Sequence, residues 1–138
     1  CKSDSGEGVV IAQGRRDFGL GLYLKENRPC FALRSDGVLY EASGSRKVPR
    51  GEWVHIAGIL DSDGRVQVFL NGERVGMAKE RHFILPRSGR IAGMMTVGSD
   101  TEGQILGRGK YPLRGMIEDV RFYYGVLDNS SLREWAEK

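Results

Sequence analysis

Asn71-Gly72 sits between two runs in which apolar residues recur at every second position, Arg65-Val66-Gln67-Val68-Phe69-Leu70 before it and Arg74-Val75-Gly76-Met77 after it. Both residues of that pair tolerate the left-handed backbone that a two-residue type I′ turn requires, so the stretch predicts a β-hairpin. The same grammar recurs along the chain. Trp53-Val54-His55-Ile56-Ala57-Gly58-Ile59-Leu60 leads through Asp61-Ser62-Asp63-Gly64 into Arg65, which makes a three-strand meander. Asp36-Gly37 joins a strand over Phe31 to Arg34 to one over Val38 to Ala42.

Upstream, Gly8 to Ala12 and Phe18 to Leu24 are expected strands. In the second, Phe18, Leu20, Leu22 and Leu24 share a face and leave Gly19 and Gly21 on the other, a place for close packing or a shallow groove. Downstream, Met94 to Gly98 and Leu113 to Tyr124 read as strands, and Lys79 to Gly93 and Ser99 to Pro112 read as loops. One helix is expected, beginning near Asp128, with Ser131 and Glu134 at capping-box spacing. About nine short strands, 20 glycines and one terminal helix describe an all-β protein, a two-sheet antiparallel β-sandwich of the jelly roll type. At 138 residues a single domain over residues 1–138 is expected.

Composition removes several functions. No apolar run approaches the roughly 18 residues of a membrane span, so no membrane insertion is expected, and residues 1 to 8 are too polar for the apolar core of a signal peptide. The net charge of +3 comes from basic residues scattered along the chain, not gathered as in nucleic-acid binders, so nucleic acid is not an expected partner. Cys1 and Cys30 lack zinc-site spacing; they could form one bridge, but Cys30 lies in the apolar stretch Cys30-Phe31-Ala32-Leu33, which favours a buried free thiol. A lipid-modified amino end at Cys1 is a further reading. The only histidines, His55 and His82, stand in no hydrolase motif, and no catalytic set assembles, so the chain reads as a non-enzyme with His55 packed structurally.

The run Gly51-Glu52-Trp53-Val54-His55-Ile56-Ala57 and the run Asp63 to Gly72 resemble the laminin G-like and pentraxin group of concanavalin A-like jelly rolls. Met95-Thr96-Val97-Gly98-Ser99-Asp100, the segment Leu113 to Tyr123 and the ending Val126 to Leu132 resemble the same group. Val9 to Leu24 is similar to accessory domains at the C-terminal end of some bacterial sulfatases. The resemblance implies a strand or two ahead of residue 1, and it implies that Ile117, Val120 and Phe122 face the core. Ile117 and Val120 cannot share a face of a regular strand, so a bulge is expected at Glu118-Asp119, aiming an acid at a metal or at Arg121. Trp53 and Trp135 match family positions that pack in the core and against the terminal helix.

The pentraxin likeness further implies calcium, held by Asp100, Thr101 and Glu102, with Asp4 near the place of an early acid-amide pair whose amide is missing here. Arg108, Lys110, Tyr111 and Arg114 form the expected recognition surface, arginines for acidic groups and the aromatic for a sugar face. A solvated loop is the plain alternative for both sets. The expected role is a non-catalytic module that binds a glycan, with anionic and sulfated glycans among the candidates, or a protein partner. It would be extracellular, cell-surface or periplasmic, and attached to a larger protein such as a glycan-degrading enzyme. The alternatives are a purely structural interdomain or oligomerisation module and a small sandwich hydrolase.

Overall fold

The computed structural model describes residues 1–15, 17–81, 95–100, 106–107, 109–123 and 129–137. In chain order the elements are β1 (Lys2–Ser3), β2 (Gly8–Gly14), β3 (Phe18–Lys25), β4 (Arg28–Ser35), β5 (Val38–Ser43), β6 (Ile56–Leu60), β7 (Arg65–Leu70), β8 (Glu73–Arg81), β9 (Met95–Val97), β10 (Gly115–Met116) and α1 (Asn129–Glu137). Five strands form one sheet in the order β5-β4-β3-β2-β9, three form a second in the order β6-β7-β8, and β1 pairs with β10. Every one of these ladders is antiparallel. The architecture is the expected all-β sandwich with one short C-terminal helix.

Turn chemistry sets the register. Asp36 and Gly37 have φ of 48° and 77°, and Asn71 and Gly72 have φ of 49° and 79°, the paired left-handed residues of type I′ hairpins. The Asp61 carboxylate accepts the amides of Asp63 and Arg65, both at 2.9 Å, which pins the β6–β7 turn. A third tight turn escaped the sequence reading, because Glu26-Asn27 lacks glycine. Both residues nevertheless adopt positive φ, 53° and 60°, and join β3 to β4.

The main core lies between the two larger sheets. Ile11, Leu20, Leu22, Leu24, Phe31, Leu33 and Ala42 from the five-stranded sheet meet Val66, Val68, Leu70, Val75 and Ala78 from the three-stranded one. Gly58 on β6 lies so close to the Phe31 ring that a Cβ there would collide with it, and Gly76 on β8 is as close to the Ser43 backbone. At these two glycines the sheets approach closely.

Several expectations are corrected. The ladder of β6 begins at Ile56, not Trp53; Trp53 makes one bridge to Lys2 and is 50% exposed, because only the short β1 lies beside it. Lys79 continues β8 to Arg81 instead of opening a loop, and residues 82–93 of that expected loop lie outside the described residues. Among the described residues of the expected strand from Leu113 to Tyr124, only Gly115–Met116 joins a ladder. Val120 (43%) and Phe122 (38%) are therefore exposed instead of core, and Ile117 is half-buried, since no described ladder includes residues 117–123. Ser131 lies inside α1, which already runs from Asn129, so it does not cap it. Trp135 is on that helix and stacks on Tyr123, with ring centroids 5.1 Å apart.

Gly58→Ala should destabilise the fold by about 1–3 kcal/mol in urea titration. Combining it with Phe31→Leu should cost less than the sum of the two single changes, because the smaller side chain vacates the colliding space. Strict additivity would refute the close approach.

Candidate functional site

Residues on the face of the five-stranded sheet that points away from the main core form a second, smaller cluster. Val9, Ala12, Tyr23, Cys30 and Ala32 are its buried members, with Leu39, Leu106 and Tyr111 packed against them. Alternation produces this division: Tyr23 stands between the core residues Leu22 and Leu24 and therefore points outward. Gly19 and Gly21 occupy the same outward register and are buried. The expected close packing on that side is therefore present.

The segment 109–114 lies along this face as a strap. The amide of Val9 donates to the Tyr111 carbonyl at 2.9 Å, that of Asp100 to the Lys110 carbonyl at 2.8 Å, and that of Leu113 to the Gly98 carbonyl at 2.8 Å. The Tyr111 hydroxyl donates to Leu24 O at 2.6 Å and is also hydrogen-bonded to Glu7 Oε2. The other Glu7 oxygen accepts the Glu26 amide at 2.7 Å. A parallel arrangement sits across the sheet, where Tyr23 bonds Glu41 Oε2, Ser43 donates to Glu41 Oε1 at 2.9 Å and Lys25 lies 3.8 Å from the same oxygen. Two carboxylates and two tyrosines thus face the outer side of one sheet.

The expected recognition residues divide. Lys110 and Arg114 are exposed on the strap, free to meet a ligand, whereas Tyr111 is half-buried with its hydroxyl engaged and serves as the strap's anchor. Arg108 lies outside the described residues. Of the expected calcium ligands, Thr101 and Glu102 also lie outside them. Asp100 is 4% exposed and accepts the Leu106 amide at 3.3 Å, and Asp4 is exposed. Among the described residues no three His, Cys, Asp or Glu side chains gather where a metal ion could sit. The expected bulge at Glu118-Asp119 is not formed, since no described ladder includes those residues; Asp119 has a φ of 55°, and its carboxylate accepts from Arg121 at 2.7 and 2.9 Å, the ion-pair alternative of the two foreseen. That guanidinium holds the Asp119 carboxyl below its ordinary range.

Sequence reasoning missed Glu7, Tyr23 and Glu41, although the alternation that sends Leu22 and Leu24 inward sends Tyr23 outward. It also passed over the exposed basic run Arg46, Lys47 and Arg50 on the β5–β6 connection, where Arg50 donates to Asn27 Oδ1 at 2.9 Å.

Cys1 and Cys30 are both free, and they belong to opposite sides of the five-stranded sheet, Cys1 against the main core and Cys30 in the outer cluster. Burial pushes the Cys30 thiol up, so it is a poor nucleophile. Burial, with help from the nearby Cys1 ammonium, pulls the half-buried His55 below its ordinary value of 6.5, and its Nδ1 has no partner among the described residues.

Two measurements follow from this geometry. Tyr111→Phe leaves the Leu24 carbonyl without its donor and should cost about 1–3 kcal/mol in urea titration, while Lys110→Ala stays within about 0.5 kcal/mol; equal effects would place Tyr111 outside the strap's anchoring. His55 is neutral in the fold at pH values where the unfolded chain already binds a proton, so stability should fall as pH drops through 6.5 toward the lowered folded value. In His55→Gln that part of the decline should vanish.

Among curated protein sequences, none matches this chain. Among solved structures, a CBM40 module of the Ruminococcus gnavus IT-sialidase bound to α2,3-sialyllactose matches with a TM-score of 0.75 and 20% identity, over 98% of this chain and 78% of that one. The same module bound to α2,6-sialyllactose matches with a TM-score of 0.70 and 22% identity, over 96% and 77%. An S-layer domain-containing protein of Clostridium thermocellum matches at 0.53 and 21%, over 95% and 63%. These likenesses establish the shared sandwich fold. The family model of the concanavalin A-like lectin/glucanases superfamily, under its Laminin_G_3 description, matches residues 2–133, and the chain belongs to that superfamily.

Proposed function

We propose that the chain is a non-catalytic glycan-binding module of a larger extracellular, cell-surface or periplasmic protein, and that it takes acidic sugars. The observation that carries this is the likeness, along 98% of the chain, to a sialidase's carbohydrate-binding module solved with sialyllactose, a sugar bearing a carboxylate. Exposed cations on the strap suit such a ligand: Lys110 and Arg114 flank Tyr111 beside the outer face of the five-stranded sheet. The Cys30 thiol, pushed up by burial and so a poor nucleophile, suits the non-catalytic reading. A glycan-degrading enzyme, a sulfatase among them, is the parent this reading favours, with the module holding the substrate near the catalytic domain.

A second reading, a structural module between domains, is favoured by the exposed apolar side chains of Trp53, Met116, Val120 and Tyr123. The two readings separate on a glycan array carrying sialylated, sulfated and neutral oligosaccharides, run with and without millimolar calcium. The acidic glycans should be retained, and the double variant Lys110→Ala, Arg114→Ala should weaken them about tenfold or more, as expected for losing charged hydrogen bonds. Failure to bind any glycan, or retention unaffected by that double variant, would overturn the proposal. The loop of Asp100, Thr101 and Glu102 is read as a calcium site on the same terms: millimolar calcium should raise the melting temperature, and an unchanged value sinks it.

A further inference from the structure

Three chain segments meet edge to edge around β1. On one side Lys2 bridges Trp53, and the Val54 amide donates to Cys1 O at 2.8 Å. On the other side Lys2 pairs with Met116 and Ser3 with Gly115, and the Asp4 amide donates to Arg114 O at 2.9 Å. A Cβ on Gly115 would collide with the Lys2 carbonyl, so the two backbones are pressed together. Residues opposite each other in an antiparallel pair project from the same side, and neighbours along a strand from opposite sides. Ser3 is buried and Cys1 packs against the main core, so theirs is the inward side. Lys2 and Asp4 therefore point outward, with Trp53 and Met116 flanking Lys2 and Arg114 opposite Asp4.

That outward face combines two exposed apolar side chains, Trp53 and Met116, with three charged ones. Among the described residues Lys2, Asp4 and Arg114 make no side-chain hydrogen bond or ion pair. A protein domain docking here would have to strip water from three unpaired charges in order to cover two apolar side chains. A sugar suits the same surface better. The C–H side of a pyranose ring covers an indole, while its hydroxyls accept from Lys2 and Arg114 and donate to Asp4. The face also continues the strap, since Lys110, Arg114 and Met116 are exposed along one segment. Two strand spacings of about 4.8 Å across and two residues of about 3.4 Å along put the Trp53 backbone about 12 Å from that of Arg114. An oligosaccharide spans that separation, and a single sugar does not.

We propose that the outward face of Trp53, Lys2, Met116, Asp4 and Arg114 is a second sugar subsite, holding a neutral pyranose ring stacked on Trp53 beside the acidic sugar met by Lys110 and Arg114. The ligand class is then an oligosaccharide in which an acidic residue is joined to neutral ones. Lys2 and Asp4 take hydroxyls at the rim of the stacked ring, and Met116 covers its flank. This subsite rests on the reading of the chain as a module for acidic glycans, and it adds the neutral part of the ligand and the residue that selects it.

Sialyllactose and free N-acetylneuraminic acid are the two probes, titrated by calorimetry into the full chain and its variants. Trp53→Ala should weaken sialyllactose about tenfold and the free acid by less than about twofold, whereas the double variant Lys110→Ala, Arg114→Ala should weaken both. Trp53→Tyr, which keeps an aromatic face, should retain most of the affinity for sialyllactose. A second readout does not depend on the folding of Trp53→Ala. The chain has two tryptophans, so in a Trp135→Phe background the emission is that of Trp53 alone. It should move to shorter wavelength as sialyllactose saturates and stay fixed with the free acid. An emission that does not move with bound sialyllactose, an equal loss of both probes in Trp53→Ala, or no loss in it overturns the subsite. So does a dimer formed through this face and dissolved by Trp53→Ala. Normal binding of sialyllactose by Trp53→Ala, with loss in the strap double variant, leaves the module reading standing without the subsite; a wild-type chain that binds neither probe ends both.

Discussion

The aromatic ring of Phe31 resting against Gly58 is the constraint on which the rest of the sandwich depends. Two twisted sheets interlock only where side chains from one fill depressions in the other. Here β4 supplies the projection and a residue without a side chain supplies the depression. The close approach at Gly76 and Ser43 repeats the solution from the other end of the three-stranded sheet. With these two points fixed, the valines of β7 fall over the leucines of β3 and β4, and the outer cluster of Tyr23, Cys30 and Tyr111 is left to the opposite surface.

Much of this fold was legible in the sequence because it is written locally. Asn71-Gly72 and Asp36-Gly37 each fix a hairpin within four residues, and strict alternation assigns Leu20, Leu22 and Leu24 to the interior. Glu26-Asn27 was overlooked because only Asn27 is a residue type that favours the left-handed backbone; at Glu26 the flanking strand register forces it. The stretch from Ile117 to Tyr123 was misread for the opposite reason. Its pattern is that of a buried strand, but burial is a property of neighbours, and the described residues put none beside it in a sheet.

The site was less legible than the fold. Tyr111 is aromatic, flanked by cations and set in a glycine-rich stretch, which describes a sugar-stacking residue and an anchoring one equally well. Only the placement of Glu7 and the Leu24 carbonyl, roughly a hundred residues away in the chain, decides that its hydroxyl is spent on holding the strap. Lys110 and Arg114 carry no such commitment, and their exposure agrees with the expectation formed from their type.

The pairing of Lys2 with Met116 joins positions more than a hundred residues apart, and β2 likewise waits for β9. The hairpins β3–β4, β4–β5 and β7–β8 close short loops and can form in microseconds, while a closure this distant costs more chain entropy and comes late. On the ribosome the order is stricter still. β1 emerges ahead of the other described strands, and its pairing with β10 waits until β10 has left the exit tunnel, so that side of the strand is completed late.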